Sequence, residues 1–216
     1  MGAEGNWPEA VDTSPWQALC FDLDGTLVDT MALHGQAYGE VFADLGHPLG
    51  MAQYLAHIGP PARIAIRLYA RAAGMGEIAD QTVAEIHAAK KARFRAVLAR
   101  DGAAGLPASA LIARHAGRLP MAVVSSGNRD GVELILRHMG WREALAAVVS
   151  GDDTLRGKPA PDPYLLGAER LGVAPGRCLA FEDTETGIGS ALAAGMAVVD
   201  VTRPGRILRP DRDAPR

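Results

Sequence analysis

The chain has 216 residues, 48% hydrophobic and 22% charged, an ordinary globular composition with room for one α/β core and an insert. A net charge of -3 leaves no basic footprint for nucleic acid, and no apolar run approaches the ~18 residues of a membrane span. The opening residues lack a cationic region followed by an apolar one, and Cys20 and Cys178 lie in apolar, strand-like segments, so a cytoplasmic protein with no signal peptide and with reduced thiols is expected.

Residues 1–15 contain Gly, Pro and Asn and read as a loose tail. A first strand is expected over Gln17 to Asp22, and it leads into Phe21-Asp22-Leu23-Asp24-Gly25-Thr26. Asp22 and Asp24 are two apart, which in an extended chain points both carboxylates the same way. Like charges so close repel, unless a divalent cation lies beside them or one carboxyl holds a proton. Gly25 then permits a sharp turn.

From about Met31 to Arg100 the chain is Ala-rich and helical, with no convincing strand. Val83, Ile86, Lys90, Phe94 and Val97 recur at three- and four-residue steps and fit one helix face. Pro60-Pro61 and Gly74-Met75-Gly76 break the region into several helices. Strands are then expected at Met121 to Ser125, Ala147 to Ser150, Arg177 to Phe181 and Ala197 to Val201. Helices are expected around Val132 to Met139, from Pro161 to Leu171 and from Ile188 to Ala194, stopped by Gly140, Gly172 and Gly195. Short strands alternating with helices imply a mainly parallel sheet with right-handed crossovers. After Pro204 the chain is rich in Arg, Asp and Pro and reads as a second loose tail.

The strand ends deliver Asp22 and Asp24, then Ser125, then Glu182 and Asp183. Ligands of open α/β sheets bind beyond the carboxyl ends of the strands. Lys158, in Arg156-Gly157-Lys158-Pro159 just before a helix, can reach the same place. Hard oxygen ligands favour Mg²⁺ over Zn²⁺, and such an ion beside a lysine and a serine hydroxyl suits a phosphoryl group.

Four stretches together resemble the ordered motifs of the haloacid dehalogenase superfamily: Asp22-Leu23-Asp24-Gly25-Thr26-Leu27, Val124-Ser125-Ser126-Gly127, Lys158-Pro159-Ala160-Pro161-Asp162 and Phe181-Glu182-Asp183. The likeness runs from about Gln17 to Thr202. It implies an α/β fold: a three-layer Rossmann-like parallel-sheet core from residues 16–31 and 103–203, a small helical cap inserted at 32–102, and tails at 1–15 and 204–216. Within the superfamily the chain is most similar to the sugar-phosphate branch of beta-phosphoglucomutases and fructose-1-phosphate-type phosphatases. That likeness rests on Asp29-Thr30 followed by His34, on Lys158 to Pro163 and on Glu182 to Ile188.

The resemblance implies a role for each residue. Asp22 would attack phosphorus and form a phosphoaspartate. Asp24 would protonate the leaving alkoxide, then take a proton from the hydrolytic water. Mg²⁺ would be held by Asp22, the Asp24 backbone carbonyl and Asp183, with Glu182 either a ligand or a water-mediated partner. Ser125 and Lys158 would hold phosphoryl oxygens, helped by backbone N–H groups near Leu23 and Ser126. His34, Arg63 and Lys90 match cap positions that touch substrate or couple cap closure to the chemistry. The other histidines have no companions at metal-ligand spacing and are read as structural.

Hydrolase or mutase is the fork. Beta-phosphoglucomutases carry a Lys-Asn pair after the second motif, where this chain has Asn128-Arg129. The departure favours a phosphatase, although the Arg129 fork suits a distal phosphate. The expectation is a monomeric, Mg²⁺-dependent phosphatase of small phosphorylated metabolites. A phosphosugar mutase and a non-catalytic phosphometabolite-binding protein are the alternatives.

Overall fold

Short apolar runs, buried on both faces, build the sheet at the centre of this protein. The computed structural model describes residues 7–58, 62–203 and 206–213. The chain runs through α1 (Trp7–Ala10), β1 (Ala18–Phe21) and β2 (Val28–Asp29), then four helices: α2 (Met31–Asp44), α3 (Met51–Leu55), α4 (Ala62–Ala72) and α5 (Asp80–Asp101). It continues with β3 (Ala104–Gly105), α6 (Ala110–His115), β4 (Met121–Val124), α7 (Arg129–His138), β5 (Ala147–Val149) and α8 (Asp162–Leu171). It ends with β6 (Cys178–Glu182), α9 (Glu185–Ala193), β7 (Ala197–Asp200), β8 (Ile207–Leu208) and α10 (Pro210–Asp213). Two compact units divide it, one drawn from Met1–Asp29 and Ala104–Arg216, the other Thr30–Ala103.

The first unit is an α/β fold around a six-stranded sheet in the order β5-β4-β1-β6-β7-β8. All pairs are parallel except β7 with β8. Every residue of β1, β4, β5, β6 and β7 is buried, as strands covered on both faces require. Phe21 and Phe181, directly paired in register, stack their rings at 4.9 Å. Burying each ring is worth about 1.5–3 kcal/mol. Cys20 and Cys178 are free and buried.

A tight turn follows β1. The N–H groups of Leu27 and Val28 both donate to the Leu23 carbonyl, and that of Gly25 donates to Val28. Gly25 sits at φ 90, a conformation that other residues adopt only with strain. The turn feeds β2, which pairs antiparallel with β3. Sequence patterning does not reveal that two-residue ribbon.

Both expected tails need correction where the structure describes them. Trp7 and Val11 are buried, and the Trp7 ring lies 6.4 Å from that of Phe181. Thr13 shares a 3.2 Å hydrogen bond with His115. An apolar indole docked on the core outweighs the loop-like composition around it. Near the other end, Ile207 and Leu208 pair with Val199 and Val198, so 206–213 adds an antiparallel edge strand and a short helix.

The helical unit has its own core, in which Tyr38, Tyr54 and Tyr69 contact one another at centroid distances of 4.9–6.0 Å. Val83, Ile86, Phe94 and Val97 of α5 are buried, the face expected from their spacing. Gly74-Met75-Gly76 separates α4 from α5. The expected break at Pro60-Pro61 lies outside the described residues. No helix among the described residues is long and apolar enough to cross a membrane.

Candidate active site

Three adjacent parallel strands end side by side. Phe21 is in register with Phe181 on one side and Val123 on the other, so the residues that follow emerge together at the carboxyl edge. The Asp22 N–H donates to the Phe181 carbonyl at 3.0 Å, and the Ser125 N–H donates to the Val149 carbonyl at 2.9 Å. Glu182 is held in turn by the Val201 N–H, which donates to its carbonyl at 2.9 Å, and Asp22, Ser125 and Glu182 are all buried.

Lys158 joins them from the loop before α8. Its ammonium donates to Asp22 Oδ1 at 2.7 Å, to Glu182 Oε1 at 2.5 Å and to the Val124 carbonyl at 2.8 Å. Those three bonds use every N–H of the group. Glu182 is fully committed to protein donors. Its Oε1 also accepts from the Tyr164 hydroxyl at 2.9 Å, and its Oε2 accepts from the N–H of Asp183, the N–H of Thr184 and the Thr184 hydroxyl. Gly187 lets α9 approach, because a Cβ there would fall 1.9 Å from Glu182 Oε1. Asp183 Oδ1 accepts from the Thr26 hydroxyl at 3.3 Å.

Negative charge is in excess. Asp22, Glu182 and Asp183 each place a carboxylate oxygen within 4.8 Å of the others. Burial pushes the Asp22 carboxyl well up, against the pull of Lys158, and Glu182 and Asp24 add to the rise. Burial and the neighbouring Glu182 push Asp183 up to about 6. Burial opposes the Lys158 charge, yet Asp22 and Glu182 outweigh it and raise its pKa. A divalent cation would relieve what one ammonium does not. The donor set is all hard oxygen, and Gly25 lets the turn pass close to Asp183, since a Cβ there would fall 2.3 Å from Asp183 Oδ2. The residues therefore fit Mg²⁺, with Asp22 and Asp183 less committed to protein donors than Glu182.

The remaining expected residues fall into groups. Asp24 is half-buried at the start of the Gly25 turn, close enough for its charge to act on Asp22. The Ser125 hydroxyl oxygen accepts from the Gly127 N–H at 3.0 Å, and Ser126 is exposed beside it. Asn128 caps α7 by accepting from the Gly131 N–H at 3.1 Å. The Arg129 guanidinium pairs with Asp153, and the Arg129 backbone N–H donates to Asp152. Within the helical unit, Lys90 lies 2.7 Å from His34 Nδ1, and the His34 ring stacks on Phe94 at 4.3 Å. Arg63 is exposed at the start of α4, outside that pair.

Sequence reasoning misses Thr26, Tyr164, Gly187 and the Val124 carbonyl. Thr26 carries a signal, since it belongs to the Asp-Gly-Thr run. Tyr164 carries none, because an aromatic residue on an apolar helix face reads as core until its hydroxyl is seen against Glu182.

A family model described as haloacid dehalogenase-like hydrolase matches residues 16–195. The chain is 36% identical over 189 residues to the fructose-1-phosphate phosphatase YqaB of Escherichia coli, covering 86% of this chain and 96% of that one. It is 34% identical over 193 residues to hexitol phosphatase A of Escherichia coli, covering 87% and 84%. Among solved structures, CbbY from Rhodobacter sphaeroides in complex with phosphate superposes with a TM-score of 0.74 at 32% identity, covering 85% of this chain and 84% of that one.

Proposed function

The chain belongs to the haloacid dehalogenase-like hydrolases and is a phosphoric monoester hydrolase, and from there we propose that it is a Mg²⁺-dependent phosphatase of a small phosphorylated sugar acting through Asp22. The observation that carries the reading is the Lys158 ammonium bridging Asp22 and Glu182, with Asp183 in the same carboxylate cluster.

Asp22, the Asp24 carbonyl and Asp183 would hold Mg²⁺, whose charge would screen the phosphate from Asp22 and stabilise its oxygens. The rest falls to the protein. Asp22 is fixed by its backbone bond to Phe181, so its carboxylate can be aimed in line with the phosphorus–oxygen bond that breaks. Lys158 has no N–H to spare, so it engages the phosphoryl group by exchanging Asp22 for a phosphoryl oxygen. That exchange frees Asp22 as the nucleophile at the moment it is needed. Ser125 supplies a hydroxyl donor at the neighbouring strand end. Asp24 gives its proton to the leaving alkoxide and then receives one from the water that cleaves the phosphoaspartate.

The named relatives support a sugar phosphate as substrate. That the named relatives are phosphatases supports hydrolysis over phosphate relocation. The test is incubation with MgCl₂ and fructose 1-phosphate, hexitol phosphates, and beta-glucose 1-phosphate with a trace of bisphosphate. Release of inorganic phosphate is expected. Glucose 6-phosphate would mark a mutase. Failure to turn over any phosphomonoester, para-nitrophenyl phosphate included, would leave a binding protein.

A further inference from the structure

One buried polar group near the site has no part in the chemistry above. Tyr164 lies in the first turn of α8 and is 0% exposed. Its hydroxyl donates at 2.9 Å to Glu182 Oε1, the same oxygen that receives the Lys158 ammonium. Its ring faces that ammonium as well, with Nζ 5.1 Å from the centroid. One side chain therefore touches both the cation and the carboxylate that anchors it. Phenylalanine would fill the same volume but for one oxygen, so packing alone does not call for a phenol here.

We infer that Tyr164 is a positioning residue, whose hydroxyl and ring hold Glu182 Oε1 and Lys158 Nζ in register while Lys158 exchanges Asp22 for a phosphoryl oxygen. The inference rests on the phosphatase reading. During the exchange Lys158 keeps two anchors, Glu182 Oε1 and the Val124 carbonyl. The Tyr164 hydroxyl shares the charge of Oε1 and fixes the plane of the carboxylate. Without it, Oε1 draws the ammonium toward Glu182 and away from the phosphoryl group. The harm falls on the state in which charge builds on the phosphoryl oxygens, more than on the bound substrate.

The test is Tyr164→Phe, assayed with para-nitrophenyl phosphate and MgCl₂ beside the wild type. Orthovanadate, which mimics the five-coordinate phosphorus, and inorganic phosphate serve as inhibitors. The expected result is a kcat about tenfold lower with KM within about twofold, and about tenfold weaker inhibition by vanadate with inhibition by phosphate unchanged. A loss confined to the transition-state mimic is not what a merely structural defect produces. Wild-type kcat in the variant overturns the inference, as does a parallel weakening of KM, phosphate and vanadate. If the wild type itself does not hydrolyse para-nitrophenyl phosphate, the parent reading falls and takes this inference with it. An active wild type with an unaffected variant removes only the role of Tyr164.

Discussion

The Lys158 ammonium lies 2.7 Å from the Asp22 carboxylate, and the two side chains are only 5% and 12% exposed. A charge pair this deep is costly to leave half-made. It also blocks the oxygen expected to act as nucleophile, so it describes a resting state that substrate must open.

Replacing Asp22 with Asn removes the nucleophilic oxygen while keeping size and most hydrogen bonding. Hydrolysis of para-nitrophenyl phosphate should fall at least about 10³-fold, with an unchanged circular dichroism spectrum. Near-wild-type turnover would show that another group attacks phosphorus.

Lys158→Met strands Asp22 and Glu182 as buried carboxylates without their cation. Urea unfolding in the presence of EDTA should show a loss of about 3–5 kcal/mol. Added Mg²⁺ should narrow the gap, because it restores positive charge at the same acids. A variant as stable as wild type in EDTA would mean that the ion pair is not formed in solution.

Gly25→Ala meets two obstacles at once. The φ of 90 is strained for alanine, and its Cβ would fall 2.3 Å from Asp183 Oδ2. Asp183 must move, so the variant should bind Mg²⁺ at least about tenfold more weakly by isothermal titration. Unchanged affinity would remove Asp183 from the metal site.

Chelation tests the metal from the stability side. Mg²⁺ at about 100 times its Kd should stabilise the wild type by about 2.7 kcal/mol, read as a rise in Tm over the EDTA-treated protein. Asp183→Asn should lose most of that rise. Equal rises in both proteins would place the ion elsewhere.

Asp153, which is not a member of the Asp22, Glu182 and Asp183 cluster, predicts a pH dependence of its own. Burial works against its charge, but hydrogen bonds from Arg170, Arg129 and Ser150 outweigh it and hold its carboxyl well below the usual range. A carboxylate depressed in the folded state stabilises it fully above the unfolded pKa of about 3.9, and loses that effect as pH falls toward the folded value. Asp153→Ala should therefore cost about 2 kcal/mol, allowing for its half-exposed arginine partners. The gap from wild type should be flat above about pH 5 and should shrink below about pH 4. A gap that widens on acidification would contradict the ion-pair account.

Much of the architecture could be read in the chain. The strand Met121–Val124 and the helix Asp162–Leu171 carry their period and their stop signals within a dozen residues. The Asp22, Glu182 and Asp183 carboxylates were visible because acids at the ends of apolar strands are out of place without a ligand. Trp7 and the Ile207-Leu208 strand were not visible, since each is ordered by a surface built from distant chain. Asn128 and Arg129 likewise show their caps and ion partners only in three dimensions.

By itself the amino-acid order determined which residue types stand at which strand ends, because strand and helix periods and turn chemistry act over a few residues. Tertiary structure alone decided how charge is shared among them. Lys158 reaches Asp22 across 136 positions and Glu182 across 24, and Tyr164 meets Glu182 across 18. Hydrogen bonds and buried charges are settled over about 3 Å, and only the folded sheet sets those distances.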